Sequence, residues 1–195
     1  MNGRQENVLA LLNFNKDTCV AILKQGVLQK QKDGLFDTDG TMHYDTKQAK
    51  FIYLYYYRNQ YTVTDGNLQL LWRGHTIDTT TQARVQTTYI KSKRRTGFTA
   101  PPFMVNPISA VHDNLLFVQS SLQGKYELSK MWKKANVIDV YDYVSRSYLM
   151  SFYVYKTDGD KIDDMIVTDT HLFVLMGSNI VSYRLSEALK KKFNH

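Results

Sequence analysis

A single cysteine and three prolines are spread over 195 residues. One cysteine cannot close a disulfide within the chain, so the sequence is not a disulfide-stapled scaffold. Cys19 lies in the apolar run from Thr18 to Leu23 with no basic cluster beside it, which predicts a small buried hydrophobe rather than a reactive thiolate. No stretch approaches the roughly 18 uncharged apolar residues that a membrane-spanning helix needs. The segment Met1 to Glu6 is polar, and the apolar residues after it are broken by Asn13, Asn15, Lys16 and Asp17, so the continuous core of a signal peptide is missing. Also missing are a Gly-x-Ser-x-Gly elbow, a Walker loop, a dinucleotide fingerprint and a His-Glu-x-x-His helix. The enzyme classes most easily read from sequence therefore have no direct support.

What is present is aromatic and alternating. Fourteen tyrosines and nine phenylalanines suit pleated, half-buried strands better than helices. Hydrophobic residues at 43% and charged residues at 22% describe a chain that folds rather than one that stays disordered. The formal net charge of +7 favours solubility and leaves anionic partners open.

Apolar-polar alternation bounded by Gly, Asn and Asp turns recurs from about Val8 to Leu185. One stretch runs Thr41–Tyr44, then Phe51–Leu54, then Tyr61–Asp65 and Leu68–Arg73. A second runs Ser109 to Asn114, Leu115–Val118, Val137–Asp142 and Tyr148–Tyr155. A third compresses the pattern into Met165–Asp169, Leu172–Leu175 and Ile180–Leu185, with Asp113 and Asp169 at matching turn positions. Repeated antiparallel sheets of about four strands each predict an all-β fold, a partial β-propeller of about three four-stranded blades, with a β-sandwich as the alternative. The expected division of the single domain 1–195 is blade-like units over 8–100, 101–160 and 161–185. A short helix follows over 186–193, with Ser186 as N-cap, Glu187 in the first turn and lysines in the last.

The run Leu35-Phe36-Asp37-Thr38-Asp39-Gly40 with His43-Tyr44-Asp45, followed by Tyr55-Tyr56-Tyr57-Arg58-Asn59-Gln60, resembles uncharacterised bacterial six-bladed, TolB-like β-propellers. So do Val137-Ile138-Asp139-Val140-Tyr141-Asp142 with Leu149-Met150-Ser151-Phe152, and the closing Ile180-Val181-Ser182-Tyr183. The resemblance rests on strand patterns over most of the chain and carries no catalytic signature. Six blades need more residues than this, so it implies the C-terminal half of such a propeller, with the bacterial cell envelope as the place of a full-length version. Open terminal blade faces then predict self-association.

Candidate chemistry is sparse. The five histidines, His43, His75, His112, His171 and His195, sit in separate contexts without the close ligand pairs of a metal site. Asp158-Gly159-Asp160 with Asp163 and Asp164 departs from a calcium loop, which wants Gly where Asp163 stands and Glu where Asp169 stands. Lys91, Lys93, Arg94 and Arg95, like Lys130, Lys133 and Lys134, read as solvated loop charge. The best-supported site is ligand-binding: Tyr56, Tyr57, Arg58 and Asn59 at a hairpin tip, joined by Arg73 and His75 after the next strand. Tyrosine-rich strand packing is the competing reading of that cluster.

These features predict a non-catalytic β-propeller module that binds an unidentified protein or small ligand, with no catalytic residue, metal or cofactor indicated. An enzyme of hydrolase or lyase type assembled from scattered loops is the first alternative. Weak nucleic-acid binding through the basic loops is the second, and requires those runs to converge on one face.

Overall fold

A computed structural model describes residues 6–93, 95–124 and 127–193, with Lys93 described by its backbone alone. Its architecture is all-β. The first large sheet comprises β3 (Gly40–Asp45), β4 (Lys50–Tyr55), β5 (Gln60–Asp65) and β6 (Leu70–His75), hydrogen-bonded in that order. The second comprises β9 (Ser109–His112), β10 (Leu115–Gln119), β11 (Ala135–Asp142) and β12 (Ser147–Tyr155). The third has three strands, β13 (Asp164–Val167), β14 (His171–Met176) and β15 (Asn179–Arg184). Every pairing is antiparallel and joins strands adjacent in sequence.

Alternation explains how the sheets stack. In register, Ile52 faces Val63 and Leu54 faces Tyr61, so these four share one face of the first sheet. They meet Leu116, Val118, Tyr141 and Tyr143 of the second sheet and its following turn in one buried cluster. The opposite face of the second sheet, through Leu115, Phe117, Ile138 and Val140, packs on Met165, Val167, Leu172, Val174 and Met176 of the third. Burying such side chains contributes roughly 1.5 to 3 kcal/mol each. The first strands of the sheets, β3, β9 and β13, touch in succession. Sheets that share an inner side and add strands outward in sequence order are the blades of a β-propeller, and the chain forms a three-sheet arc of one.

Close approach between strands leaves its mark at Gly74, where an added Cβ would lie 2.1 Å from the Tyr61 ring. Only glycine lets that ring lie flat across the partner strand.

The first sheet's outer face has its own cover. Residues 26–38 fold across it: the Tyr53 hydroxyl donates to the Thr38 carbonyl at 2.7 Å, and the Gln29 N–H donates to the Tyr55 hydroxyl at 2.9 Å. Tyr53 is therefore buried, and the expectation of bare faces at both ends of the arc is corrected at this end. At the other end the third sheet's outer face is open, with Phe173 and Leu175 partly exposed, Ile166 60% exposed and Ile180 75% exposed.

Two hairpins stand apart from the large sheets. Among the described residues β1 (Leu9–Asn15) pairs only with β2 (Thr18–Lys24), and β7 (Thr87–Ile90) only with β8 (Arg95–Phe98). Cys19 lies exposed on β2, which corrects the expectation of a buried thiol: the β1–β2 pair carries apolar strand patterning but no sheet lies over it. A 3-10 turn over Lys91–Lys93 and two short α-helices, α1 (Ser129–Lys134) and α2 (Glu187–Lys190), complete the described chain. The Ser186 side chain caps α2 by accepting the Leu189 N–H, and Leu189 and Phe193 are buried beside the second and third sheets. No helix among the described residues is long and apolar enough to cross a membrane.

Candidate ligand-binding groove

Where the apolar contact between the first two sheets gives out, it opens into a groove of about 830 Å³. One wall is Ile77, Asp78 and Thr79, the segment leaving β6. The floor is Val137 and Asp139 of β11 with Tyr148, Ser151 and Tyr153 of β12. The third side comes from Ser120, Leu122, Gln123 and Gly124, then Glu127, Leu128 and Met131 on the approach to and within α1. Strand register puts these floor residues together, because Val137 pairs with Tyr153 and Asp139 with Ser151.

Asp139 is the unusual member. It stands between Ile138 and Val140 in the middle of β11 and is buried. The Ser151 hydroxyl donates to its carboxylate. Because that proton is committed, the Tyr148 hydroxyl, 2.8 Å from Ser151 Oγ, donates to Ser151 in turn. A line of hydroxyls thus runs from half-exposed Tyr148 to a buried carboxylate. Burial raises the Asp139 pKa above its ordinary value; the Ser151 hydrogen bond opposes that rise and the Glu127 charge adds to it. Tyr141 closes the inner end, accepting the Ile77 N–H at 3.0 Å, and burial pushes its phenol pKa up as well. Among the described lining residues every charged group is a carboxylate: Asp78, Glu127 and Asp139. The groove can accept hydrogen bonds at its floor and offer apolar and aromatic contact along its sides.

The residues singled out from sequence lie elsewhere. Arg58 is fully buried, its guanidinium 3.7 Å from the centre of the Tyr55 ring, donating through Nη1 to the Asp37 carbonyl at 3.1 Å and through Nη2 to the Gln29 carbonyl. Burial lowers its pKa, with the neighbouring Tyr55 acting in the opposite sense. Asn59 donates to the Asp78 carbonyl, Tyr57 packs edge-on against Phe98, and the Tyr56 N–H donates to the Asp39 carbonyl at 2.9 Å. Arg73 donates to the Gly26 carbonyl at 2.9 Å, and His75 is exposed at the end of β6. Tyr56 to Asn59 are thus adjacent at the end of the first sheet, and both arginines hold the covering segment 26–38.

That segment is organised by two aspartates. The buried Asp37 carboxylate accepts the backbone N–H groups of Gln31, Lys32, Asp33 and Gly34, while Asp33 accepts those of Leu35, Phe36 and Asp37. The Leu35 to Gly40 run is a local hydrogen-bonded cover.

At the turns that follow the inner strands, Lys47 lies 3.4 Å from Asp113 and 3.9 Å from Asp169, and His112 lies 2.8 Å from Asp169. Asp113 and Asp169 occupy corresponding turns, so this network links all three sheets. Among the described residues no three His, Cys, Asp or Glu side chains are placed to hold a metal ion. The two basic runs fall on separate elements: Lys91 and Arg95 flank the β7–β8 turn, and Lys130, Lys133 and Lys134 lie in α1. Arg94 and His195 fall outside the described residues.

No protein-family model matches the chain, and no curated protein does. Among solved structures it is similar to Hsv2 of Kluyveromyces lactis, at 9% identity over 75% of this chain and 32% of that one, with a TM-score of 0.42. It is also similar to Hsv2 of Kluyveromyces marxianus, at 8% identity over 76% of this chain and 34% of that one, with a TM-score of 0.43. The chain spans about a third of the length of these proteins, and its architecture stands on its own sheet topology.

Proposed function

We propose that this partial propeller is a non-catalytic binding module that takes a small, donor-bearing ligand in the groove between its first two sheets. The supporting observation is the buried Asp139 carboxylate at the groove floor, which accepts the Ser151 hydroxyl and is reached from solvent through Tyr148 and Ser151. Burying a carboxylate without a cation costs stability, and such costs gather at functional sites. The mixed lining, with Tyr148, Tyr153, Leu122 and Met131 beside three carboxylates, is that of a site giving apolar contact and a few oriented polar ones.

The test is a screen of small polar compounds by NMR on isotopically labelled protein. Binders should shift the amides of Ile77, Asp139 and Ser151. Asp139→Asn and Tyr148→Phe should each weaken binding about tenfold, as loss of one hydrogen bond does. A ligand whose affinity is unchanged in both variants overturns the reading, as does turnover of a compound that binds there.

A further inference from the structure

We propose that the β1–β2 hairpin of one copy of this chain docks along the free edge of β15 in a second copy, its nearer strand serving as a fourth strand of the third sheet. Three independent observations converge on that placement. The first is strand number: two sheets have four strands and the third has three, ending at β15. The second lies beneath the missing strand. Met150 and Phe152 of β12 face the third sheet, since they pair with Val140 and Ile138, yet they are only half-buried where their neighbours are fully covered. A strand added beside β15 would lie over them.

The third observation is the hairpin itself. Its register places Ala10 opposite Leu23, Leu12 opposite Ala21 and Phe14 opposite Cys19, so these six residues form one face. All six are exposed, Phe14 at 75%, and none is charged. A two-stranded ribbon with an uncharged face and no third strand is marginal in water. Addition to an open edge satisfies its backbone groups and buries its apolar face in the same step.

The occupant is a second copy because one chain carries both complementary halves. Within a copy the hairpin leads into Gly26, which Arg73 holds on the outer side of the first sheet, and the first and second sheets lie between that point and the third sheet. Reciprocal exchange between two copies closes a dimer, whereas one-way exchange propagates an open chain.

Sedimentation across a dilution series tests the association, and cysteine pairing tests its geometry. Wild-type protein should rise in mass with concentration, and Phe14→Asp, at an exposed position outside either core, should weaken association about tenfold or more. Asn179→Cys, Val181→Cys and Tyr183→Cys scan the β15 face that points toward the second sheet. Under mild oxidation at least one should form an intermolecular disulfide with Cys19, identified by peptide mapping. A monomer at every concentration, association unaffected by Phe14→Asp, or links between Cys19 and Cys19 alone would overturn the proposal.

Discussion

The guanidinium of Arg58 stacks 3.7 Å from the centre of the Tyr55 ring, and both side chains are fully buried under the segment that covers the first sheet. A planar cation in that position joins ring stacking to two carbonyl hydrogen bonds, a combination lysine cannot reproduce. Arg58→Ala should lower the stability measured by urea unfolding by about 3 kcal/mol, and Arg58→Lys should restore less than half of the loss. A change within about 0.5 kcal/mol, typical of a surface position, would show that the stack is incidental.

Asp37 holds the same segment from the other side. Four backbone amides converge on its carboxylate, and removing an acceptor leaves those donors without their partner. Asp37→Ala should cost about 2 kcal/mol and open residues 31–36 to limited proteolysis, while the β9–β15 sheets stay protected. Cleavage that begins in the third sheet instead would contradict it.

Acid sensitivity should trace to His43. Its Nε2 lies 2.7 Å from Ser109 Oγ, bridging the inner strands of the first two sheets, and burial lowers its pKa from 6.5, with Asp164 opposing. The unfolded state therefore binds a proton more readily than the folded state. Stability contributed by neutral His43 is complete above pH 6.5 and falls as the pH drops below it. His43→Gln should flatten that part of the urea-midpoint profile; an unchanged slope below pH 6.5 would exonerate the residue.

Asp139 predicts the opposite sign. Its raised pKa means that the folded state favours the neutral acid, so the ionised form at neutral pH weakens the fold, and the penalty is relieved as the pH falls through the raised value. Asp139→Asn should therefore be more stable than wild type near pH 7, by about 1 kcal/mol, and the advantage should shrink in acid. Destabilisation by Asp139→Asn would mean that the carboxylate serves folding rather than a ligand.

The strands were legible because their alternation is regular. Leu172–Leu175 and Ile180–Leu185 could be read as paired strands, and Asp113 and Asp169 as matched turns, from spacing alone; the structure places them so. Arg58 was conspicuous in sequence, but its burial depends on residues 26–38 folding back across β4, a contact between segments about thirty residues apart that no local pattern encodes. Asp139 left a signal that alternation could have exposed, a carboxylate between Val137 and Tyr141 on a face otherwise given to the core. The groove around it depends on Ile77 and the insertion before α1 reaching the same place. Cys19 misled because its strand has the composition of a buried one, and composition does not report whether a second sheet lies above it.

The second sheet packs on another sheet through each face, whereas the first and third sheets each meet another sheet through one. It is the keystone of the arc. Unfolding the third sheet bares one apolar interface and leaves the other intact, but loosening β10 or β11 bares both at once. The chain is thus built for unequal tolerance: variation can accumulate at the exposed positions of β14 and β15, such as Phe173, Leu175 and Ile180, at modest cost, while a single cavity beneath Phe117 or Leu116 is felt across the whole molecule.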